Sequence, residues 1–261
     1  MFDIIIIGVQ KSGTSWLYET LKQSSSLLLR KDKSEKGRFD VRTEVLNDWI
    51  KNNYDESNGR LFCDVSVDYI LDPKTLNWIV GNYPNVKLNV LIRNPIERFI
   101  SAVDWEYRKG KLSKMSSELT LDDLEVQEIK ILIERSLYWK YLHALPQENL
   151  QIWKYEELKN DNNNFIHRFC EFNKILDIPS PSLIRHKKST SNLMMKLENK
   201  ATKFSPYLGK LVSKIGDRSN NIAGAKKMDR KVSKELISRF HNDFTLYGEA
   251  ICNRHKLNGY L

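Results

Sequence analysis

The sequence predicts an α/β domain in which helices flank a central parallel β-sheet. The four consecutive isoleucines at residues 4–7 are apolar on both faces, as expected for a buried central strand of a parallel sheet. A loop bounded by Gly8 and Gly13 then leads into a segment with helical spacing. Along the rest of the chain, strand-like and helix-like patterns alternate, which is the order typical of a parallel α/β sheet.

The predicted elements follow from apolar periodicity and from the residues that end each run. Asp72 and Pro73 suit the cap and the first position of one helix, and Tyr83 with Pro84 ends it. Strands are predicted at residues 4–7, 60–67, 86–92 and 150–155, with a further short apolar run at 27–29. Helices are predicted at residues 14–22, 43–53, 73–82, 94–109, 121–145 with a pause near the middle, 164–176 and 233–247.

The length of 261 residues fits one substantial domain, and the sequence contains no internal repeat. Beyond the Pro-Ser-Pro sequence at residues 179–181 the regular pattern weakens and basic segments appear. We therefore expect a single domain over residues 1–261, with a core of about residues 1–178 and a basic, lid-like C-terminal segment of about residues 179–261.

Charge and cysteine content restrict the partners and the compartment. Lys and Arg outnumber Asp and Glu by 42 to 33, a net charge of +9 that favours an anionic partner such as a nucleotide, a sulfated glycan, a nucleic acid or an acidic lipid. The three cysteines lie far apart without metal-ligand spacing. The first strand lacks the flanks of a signal peptide, and no apolar stretch reaches the roughly 20 residues of a membrane helix. We expect a cytoplasmic protein without a transmembrane segment.

The sequence GVQKSGTSWL, at residues 8–17, predicts a loop that binds an oxyanion. A loop between a buried strand and a helix can direct backbone N–H groups at an anion, and the helix N-terminus adds partial positive charge. Lys11 adds a full charge, and the hydroxyls of Ser12, Thr14 and Ser15 can donate hydrogen bonds. By itself the motif is also compatible with an ordinary turn that binds nothing.

The position of Lys11 separates this loop from that of P-loop NTPases and kinases. Their motif, G-x-x-x-x-G-K-[ST], places the lysine directly after the second glycine. Here Thr14 follows Gly13, and Lys11 lies two residues before that glycine. The loop is therefore a relative of the P-loop with its charge in a different place.

A second motif, KLNVLIRNPIERFISA at residues 87–102, ends a predicted strand with Arg93 and places Ser101 two helical turns further on. Ligands of open α/β sheets bind at the carboxyl ends of the strands. The planar guanidinium of an arginine suits a terminal phosphate because it can donate two parallel hydrogen bonds. The alternative is that Arg93 pairs with a carboxylate and Ser101 lies on a helix surface. Arg98 is expected to be a surface charge.

Together the two motifs resemble those of the PAPS (3′-phosphoadenosine-5′-phosphosulfate)-dependent sulfotransferase superfamily, most closely its carbohydrate (heparan-sulfate-type) branch and related bacterial enzymes. That branch opens with G-x-x-[KR]-[SG]-G-T and has an arginine followed about eight residues later by a serine. Three weaker matches follow in the family's order: CDVSVDYI at 63–70, RSLYWKYL at 135–142 and WKYEEL at 153–158. The resemblance extends from residue 2 to about residue 178 and implies a P-loop NTPase-like sulfotransferase fold.

The resemblance also implies which residues bind PAPS. The phosphate loop would hold the 5′-phosphate and the sulfuryl group, Arg93 and Ser101 would hold the 3′-phosphate, and Lys11 would steady charge on the bridging oxygen. A basic loop at residues 224–227 would close over the nucleotide. The cofactor-binding residues that it implies are Lys11, Ser12, Gly13, Thr14, Ser15, Trp16, Arg93, Ser101, Lys226 and Lys227. No metal is required.

The acceptor side is less defined. A hydroxyl or amine acceptor needs a general base, and the resemblance places it in the loop at residues 27–39, where Asp32 aligns best and Glu35 next. Asp64 is a third possibility. A loop that alternates Lys with acidic residues is also typical of a solvated surface, and the basic cluster at residues 185–188 could either bind an anionic acceptor or be solvated.

The sequence thus predicts a sulfotransferase that moves the sulfuryl group from PAPS to a hydroxyl or amine by in-line displacement, with PAP as product. The expected acceptor is a carbohydrate, a glycolipid or another hydroxyl-bearing small molecule. A P-loop phosphotransferase and a non-catalytic polyanion-binding protein are the alternatives. Nucleic acid is not an expected partner, because the basic residues are dispersed rather than interleaved with aromatics on one face. The oligomeric state does not follow from the sequence.

Overall fold

The computed structural model describes residues 2–29, 58–177, 179–180 and 228–255. The chain divides into two compact units that are each discontinuous in sequence. The first unit comprises Met1–Pro95, Leu137–Ile184 and Phe240–Leu261, and the second comprises Ile96–Ser136 and Arg185–Arg239. The expected division into a core of about residues 1–178 and a C-terminal segment of about residues 179–261 stays a prediction.

The first unit contains a five-stranded parallel sheet with the strand order β2-β3-β1-β4-β5. The strands are β1 Ile4–Gly8, β2 Leu27–Leu29, β3 Leu61–Val65, β4 Lys87–Ile92 and β5 Leu150–Lys154. Ile4 pairs with Cys63 on one side and with Lys87 on the other, so β1 is central. The predicted parallel α/β sheet with this strand at its centre is confirmed.

The described helices account for most of the predicted ones. In chain order they are α1 Thr14–Leu21, α2 Pro73–Asn82, α3 Pro95–Arg108, α4 Gln127–Glu134, α5 Tyr138–His143, α6 Tyr155–Asn160, α7 Asn162–Asn173, α8 Arg230–Asp243 and α9 Glu249–His255. Short 3₁₀ helices lie at Tyr69–Leu71, Ser116–Glu118 and Asp122–Glu125, and a π-helical turn lies at Phe244–Gly248. No helix among these combines the length and the apolar character of a membrane span.

Some predicted boundaries differ from the observed ones. The predicted helix at residues 121–145 is divided into a 3₁₀ helix, α4 and α5, and its pause falls where the chain passes from the second unit to the first. The predicted helix at 164–176 begins earlier, because the Asp161 side chain accepts a hydrogen bond from the Asn164 N–H and caps α7. Helix α6 was not predicted. The helix predicted at residues 43–53 lies outside the described residues.

Alternate residues of β1 face two apolar clusters, because successive side chains of a strand point to opposite faces of a sheet. Ile5 and Ile7 belong to one cluster and Ile4 and Ile6 to the other, and all four are at most 1% exposed. The first cluster includes Leu76 of α2, Trp139 of α5 and Ile251 of α9. The second includes Leu17 of α1 and Phe165 of α7. Helices thus cover both faces of the sheet, which explains why the isoleucine run is uninterrupted.

In the second unit, Arg98 of α3 is fully buried. Its Nε donates a hydrogen bond to the Ser136 Oγ at 2.8 Å, and its Nη2 donates to the Leu132 carbonyl oxygen at 2.5 Å. A guanidinium at the C-terminal end of α4 satisfies a carbonyl of the last turn and suits the partial negative charge of that helix end. The prediction that Arg98 is a surface charge is wrong.

Candidate functional site

The loop between β1 and α1 continues the sheet by one hydrogen bond and then turns sharply. The Val9 N–H donates to the Leu91 carbonyl oxygen at 2.8 Å, and the Ser12 N–H donates back to the Val9 carbonyl oxygen at 3.2 Å. Lys11 and Gly13 both have left-handed backbones, with φ of 72° and 88°. A lysine rarely adopts this conformation, so the loop holds Lys11 in a specific, sparsely populated backbone state.

Gly13 is required at the end of the loop for two independent reasons. Its φ of 88° favours glycine. In addition, a Cβ atom there would lie 2.8 Å from the Leu158 Cδ2 and 3.0 Å from the Tyr155 Cδ2. Helix α6 therefore packs closely against the loop backbone at Gly13.

The N-terminus of α1 is suited to an oxyanion. Its first turn contains no acidic residue, and among the described residues no side chain caps it. The first N–H groups of a helix have no partner within the helix, and the helix end carries partial positive charge. The Ser12 side chain is fully buried, and its hydroxyl has no hydrogen-bond partner within the described part of the chain. These features fit a phosphate or sulfuryl group of a bound nucleotide.

The other predicted residues of this loop differ in exposure. Lys11 is partly buried, Thr14 is buried and Ser15 is exposed. Trp16 is 4% exposed, and its ring lies 6.4 Å from that of Phe165, edge to face, within the apolar cluster of α1 and α7. The structure thus places Trp16 in the core of the first unit, and its contact with a nucleotide stays a prediction.

Arg93 leaves the carboxyl end of β4 and reaches the phosphate loop. Its Nη1 donates a hydrogen bond to the Lys11 carbonyl oxygen at 3.2 Å. Its guanidinium carbon lies 4.8 Å from the ring centre of Tyr155, within cation–π range. The two motifs predicted from the sequence, residues 8–17 and the arginine after β4, are therefore in direct contact.

Three residues around Arg93 were not predicted as site residues. Tyr155 contacts both the guanidinium and the loop at Gly13, the Tyr138 hydroxyl donates a hydrogen bond to the Arg93 carbonyl oxygen, and Glu156 accepts one from the backbone N–H of Asn94 at 2.9 Å. A signal for them was present, because Tyr138 lies in RSLYWKYL and the other two lie in WKYEEL. The weak motif matches thus mark residues that surround Arg93.

The remaining candidates are placed as follows. Ser101 is a partly buried residue of α3 in the second unit, and its role beside Arg93 stays a prediction. Asp64 is fully buried in β3, where its Oδ2 accepts a hydrogen bond from the Tyr69 hydroxyl at 2.5 Å. Four predicted residues lie outside the described residues: Asp32, Glu35, Lys226 and Lys227. The basic cluster at residues 185–188 also lies outside them.

Within the described ranges, no three His, Cys, Asp or Glu side chains are grouped as they would be around a metal ion. The prediction that no metal is required concerns the reaction itself, and it stays a prediction.

The family model described as "Sulfotransferase domain" matches residues 2–253 of the chain. No curated protein sequence matches it. Among solved structures, the chain is similar to a sulfotransferase from Alicyclobacillus acidocaldarius, with a TM-score of 0.56 and 20% identity over 81% of this chain and 96% of that one. It is also similar to mouse sulfotransferase SULT7A1 complexed with PAP, with a TM-score of 0.51 and 15% identity over 97% of this chain and 89% of that one. At these identities the two structures show a shared fold, which confirms the predicted fold class.

Proposed function

The chain belongs to the sulfotransferase domain family and is a PAPS-dependent sulfotransferase, and we propose that it transfers the sulfuryl group to a hydroxyl or amine of a carbohydrate or glycolipid. The observation that carries the proposed donor site is the contact between Arg93 and the phosphate loop, in which the Arg93 Nη1 donates to the Lys11 carbonyl oxygen at 3.2 Å. This contact joins a candidate 3′-phosphate ligand to a candidate 5′-phosphosulfate loop.

We assign the 5′-phosphate and the sulfuryl group of PAPS to the phosphate loop. The uncapped first turn of α1 and the buried Ser12 hydroxyl support this assignment, because both supply donors that the described residues leave without a partner. Ser12, Gly13, Thr14 and Ser15 would surround the anion. Trp16, Lys226 and Lys227 remain candidates for the nucleotide on the basis of the family resemblance alone.

We assign the 3′-phosphate to Arg93, with Ser101 as its proposed second ligand. The position of Arg93 at the carboxyl end of a central strand supports this, because that edge is where ligands bind in open α/β sheets. A guanidinium can bind a terminal phosphate through two parallel charge-assisted hydrogen bonds. Its cation–π contact with Tyr155 helps to hold the guanidinium beside the loop.

In the proposed reaction, the acceptor oxygen or nitrogen forms a bond to sulfur while the bond between sulfur and the bridging oxygen breaks. The acceptor proton passes to a general base, and PAP leaves with the negative charge of the bridging oxygen. The Lys11 ammonium would stabilise that charge as it develops, as electrostatic catalysis requires. Positioning the acceptor in line with the breaking bond would supply much of the remaining rate.

Asp32 is the first candidate for the base and Glu35 the second. The burial of Asp64 and its hydrogen bond from Tyr69 favour these two over Asp64, because a base must reach the acceptor proton. The carbohydrate or glycolipid acceptor rests on the family resemblance, and the net charge of +9 is compatible with an anionic glycan. A cytoplasmic location remains part of the prediction.

Two experiments test this function. The first measures the melting temperature of the protein with PAP and, separately, with ATP plus Mg²⁺. We expect PAP to raise the melting temperature and ATP plus Mg²⁺ to leave it unchanged, since a ligand that binds the folded state stabilises that state. The second screens transfer of radiolabelled sulfate from PAPS to glycans, glycolipids and small alcohols, and we expect a labelled glycan or glycolipid.

Each alternative function has its own outcome. Stabilisation by ATP with Mg²⁺, together with phosphate transfer, would identify a phosphotransferase. Binding of polyanions that weakens steeply with salt, without any effect of PAP, would identify a non-catalytic polyanion-binding protein.

A further inference from the structure

Two side chains hold the peptide group between residues 93 and 94, just beyond the last residue pair of the ladder between β4 and β5. The ladder between β4 and β5 ends at the pair Ile92 and Lys154, and α3 begins at Pro95. Between these points, the Tyr138 hydroxyl donates a hydrogen bond to the Arg93 carbonyl oxygen. On the same peptide group, the Asn94 N–H donates to the Glu156 Oε1 at 2.9 Å. The peptide group that joins Arg93 to Asn94 is thus held by a side chain at its carbonyl oxygen and by another at its N–H.

Glu156 is placed for this contact by the fold of α6. It follows Tyr155, which contacts both the Arg93 guanidinium and the loop at Gly13. It lies in the first turn of α6, where an acidic side chain suits the partial positive charge of the helix end. One turn of one helix therefore contacts the side chain of Arg93 and the backbone that follows it.

The second carboxylate oxygen of Glu156 is an independent indication that this side chain has a functional role. The Oε2 atom is buried and has no hydrogen-bond partner among the described residues. Burying an unsatisfied carboxylate oxygen is unfavourable, and a residue that contributed only to stability would be better replaced by a smaller or apolar one. Within the described part of the chain, the hydrogen bond that this carboxylate accepts is the one from Asn94.

We propose that Glu156 and Tyr138 are positioning residues for PAPS, which fix the backbone from which Arg93 projects. This inference rests on the proposed function, in which Arg93 binds the 3′-phosphate. With either contact removed, the guanidinium is presented in more orientations, and fewer of them meet the phosphate. The affinity should therefore decrease for nucleotides that carry a 3′-phosphate and stay the same for nucleotides without one.

The test compares the affinities of the purified full-length protein for PAP and for AMP, which lacks the 3′-phosphate, by titration calorimetry. We expect Glu156→Ala to weaken PAP binding about tenfold, the size of one lost hydrogen bond, and to leave AMP binding unchanged. Glu156→Gln retains an oxygen that can accept the Asn94 N–H, so it should bind PAP nearly as tightly as the wild type. Tyr138→Phe removes one hydroxyl, keeps the ring and should reproduce the selective loss of Glu156→Ala.

The matched control is Glu157→Ala. It removes the next carboxylate of the same helical turn, which forms an ion pair with Arg168 at 3.1 Å. Its PAP affinity should equal that of the wild type.

Two results would overturn the positioning role. The first is an equal loss of PAP affinity and AMP affinity in both Glu156→Ala and Tyr138→Phe, because such a loss indicates a general structural effect. The second is wild-type PAP affinity in both variants. If Glu156→Ala does not fold, Tyr138→Phe decides by the same criterion. A wild-type protein that binds no PAP would overturn the proposed function and this inference with it, whereas a wild type that binds PAP alongside variants without a selective loss would overturn the inference alone.

Discussion

The guanidinium Nη1 of Arg93 donates a hydrogen bond to the backbone carbonyl oxygen of Lys11 over 3.2 Å. The two residues are 82 positions apart, and each belongs to one of the two motifs that predicted the donor site. Because Lys11 has a left-handed backbone with φ of 72°, an external hydrogen bond to its carbonyl helps to hold a conformation that lysine rarely adopts. Arg93 therefore supports the phosphate loop in addition to its proposed contact with the 3′-phosphate.

Replacing Arg93 should accordingly affect both halves of the donor site. We expect Arg93→Ala to raise the Kd for PAP by ~100-fold or more, since hydrogen bonds to charged groups contribute roughly 1.5–3 kcal/mol each. Sulfate transfer from PAPS should be lost with it. Titration calorimetry with PAP measures the first effect and a radiolabel assay the second.

The control for this variant is Arg254→Ala. Arg254 is exposed and pairs with Glu148 at 3.8 Å, so its removal should leave PAP affinity unchanged. Wild-type PAP affinity in Arg93→Ala would remove Arg93 from the proposed site.

The features of the fold that the sequence predicted best are those with a local cause. A run of β-branched residues at 4–7 needs burial on both faces, and Asp72 with Pro73 marks the start of α2 whatever surrounds it. Arg98 shows the limit of such reasoning. Its partners are the carbonyl of Leu132 and the hydroxyl of Ser136, more than 30 residues away, and nothing near Arg98 in the sequence indicates them.

The same limit applies to the candidate site. Lys11, Ser12 and Gly13 were predictable because loop, strand and helix are contiguous, and their chemistry can be deduced from the sequence between Gly8 and Trp16. Glu156 and Tyr138 bind backbone atoms of a distant segment. Every residue type has these backbone atoms, so the residue types at positions 93 and 94 do not indicate such a contact. The motifs that contain Glu156 and Tyr138 could be recognised in the sequence, but the segment that they contact could not.

Gly13 should tolerate no side chain. We expect Gly13→Ala to lower the free energy of unfolding by more than about 2 kcal/mol and to abolish PAP binding, because its Cβ would lie 2.8 Å from the Leu158 Cδ2 in addition to the strain of its positive φ. Urea unfolding and calorimetry measure the two effects.

Gly59→Ala separates the steric effect at Gly13 from backbone strain. Gly59 has a similar φ of 80°, but a Cβ there would meet no atom of the described residues within 4 Å. This control should lose only about 1 kcal/mol and should bind PAP normally. Equal effects of the two substitutions would show that the packing of α6 against the loop is unimportant.

Stability at acidic pH should depend on Asp177. Burial alone would raise the pKa of this carboxyl, but hydrogen bonds from Ser24, Ser26 and Ser25 outweigh burial and hold the pKa well below its ordinary value. Because the pKa is lower in the folded state than in the unfolded state, this stabilisation is complete above the unfolded-state pKa of about 3.9 and is lost as the pH falls through the folded-state pKa.

We expect Asp177→Asn to lower the free energy of unfolding at pH 7 by about 1–3 kcal/mol and to flatten its decline between about pH 5 and pH 2. Urea unfolding across this range measures the slope. Glu171→Gln, which neutralises an exposed carboxylate on α7, is the control and should keep the wild-type slope. An unchanged slope in Asp177→Asn would assign the acid sensitivity to other carboxylates.

Lys11 should contribute more to the rate than to binding. We expect Lys11→Ala to lower kcat for sulfate transfer by roughly 10²–10³-fold, the effect typical of removing one preorganised electrostatic group, while PAPS affinity, measured without acceptor, falls far less. In intact PAPS the bridging oxygen is still bonded to sulfur, so the charge that Lys11 would stabilise develops only as that bond breaks. The exposed Lys22, which follows α1, provides the control Lys22→Ala, with normal kcat. An equal loss of PAPS affinity and of kcat would make Lys11 a binding residue only.

Asp32 is the remaining test of the proposed chemistry, because a general base can be removed without removing the donor site. We expect Asp32→Asn to keep wild-type PAP affinity and to lower kcat by roughly 10²–10⁴-fold, since the amide cannot accept the acceptor proton. The acidic limb of the pH–rate profile should disappear together with that activity. Glu35→Gln is the matched comparison, because it neutralises a second acid in the same predicted loop, and it should retain both activity and pH profile. Full activity in Asp32→Asn combined with loss in Glu35→Gln would transfer the role of base to Glu35.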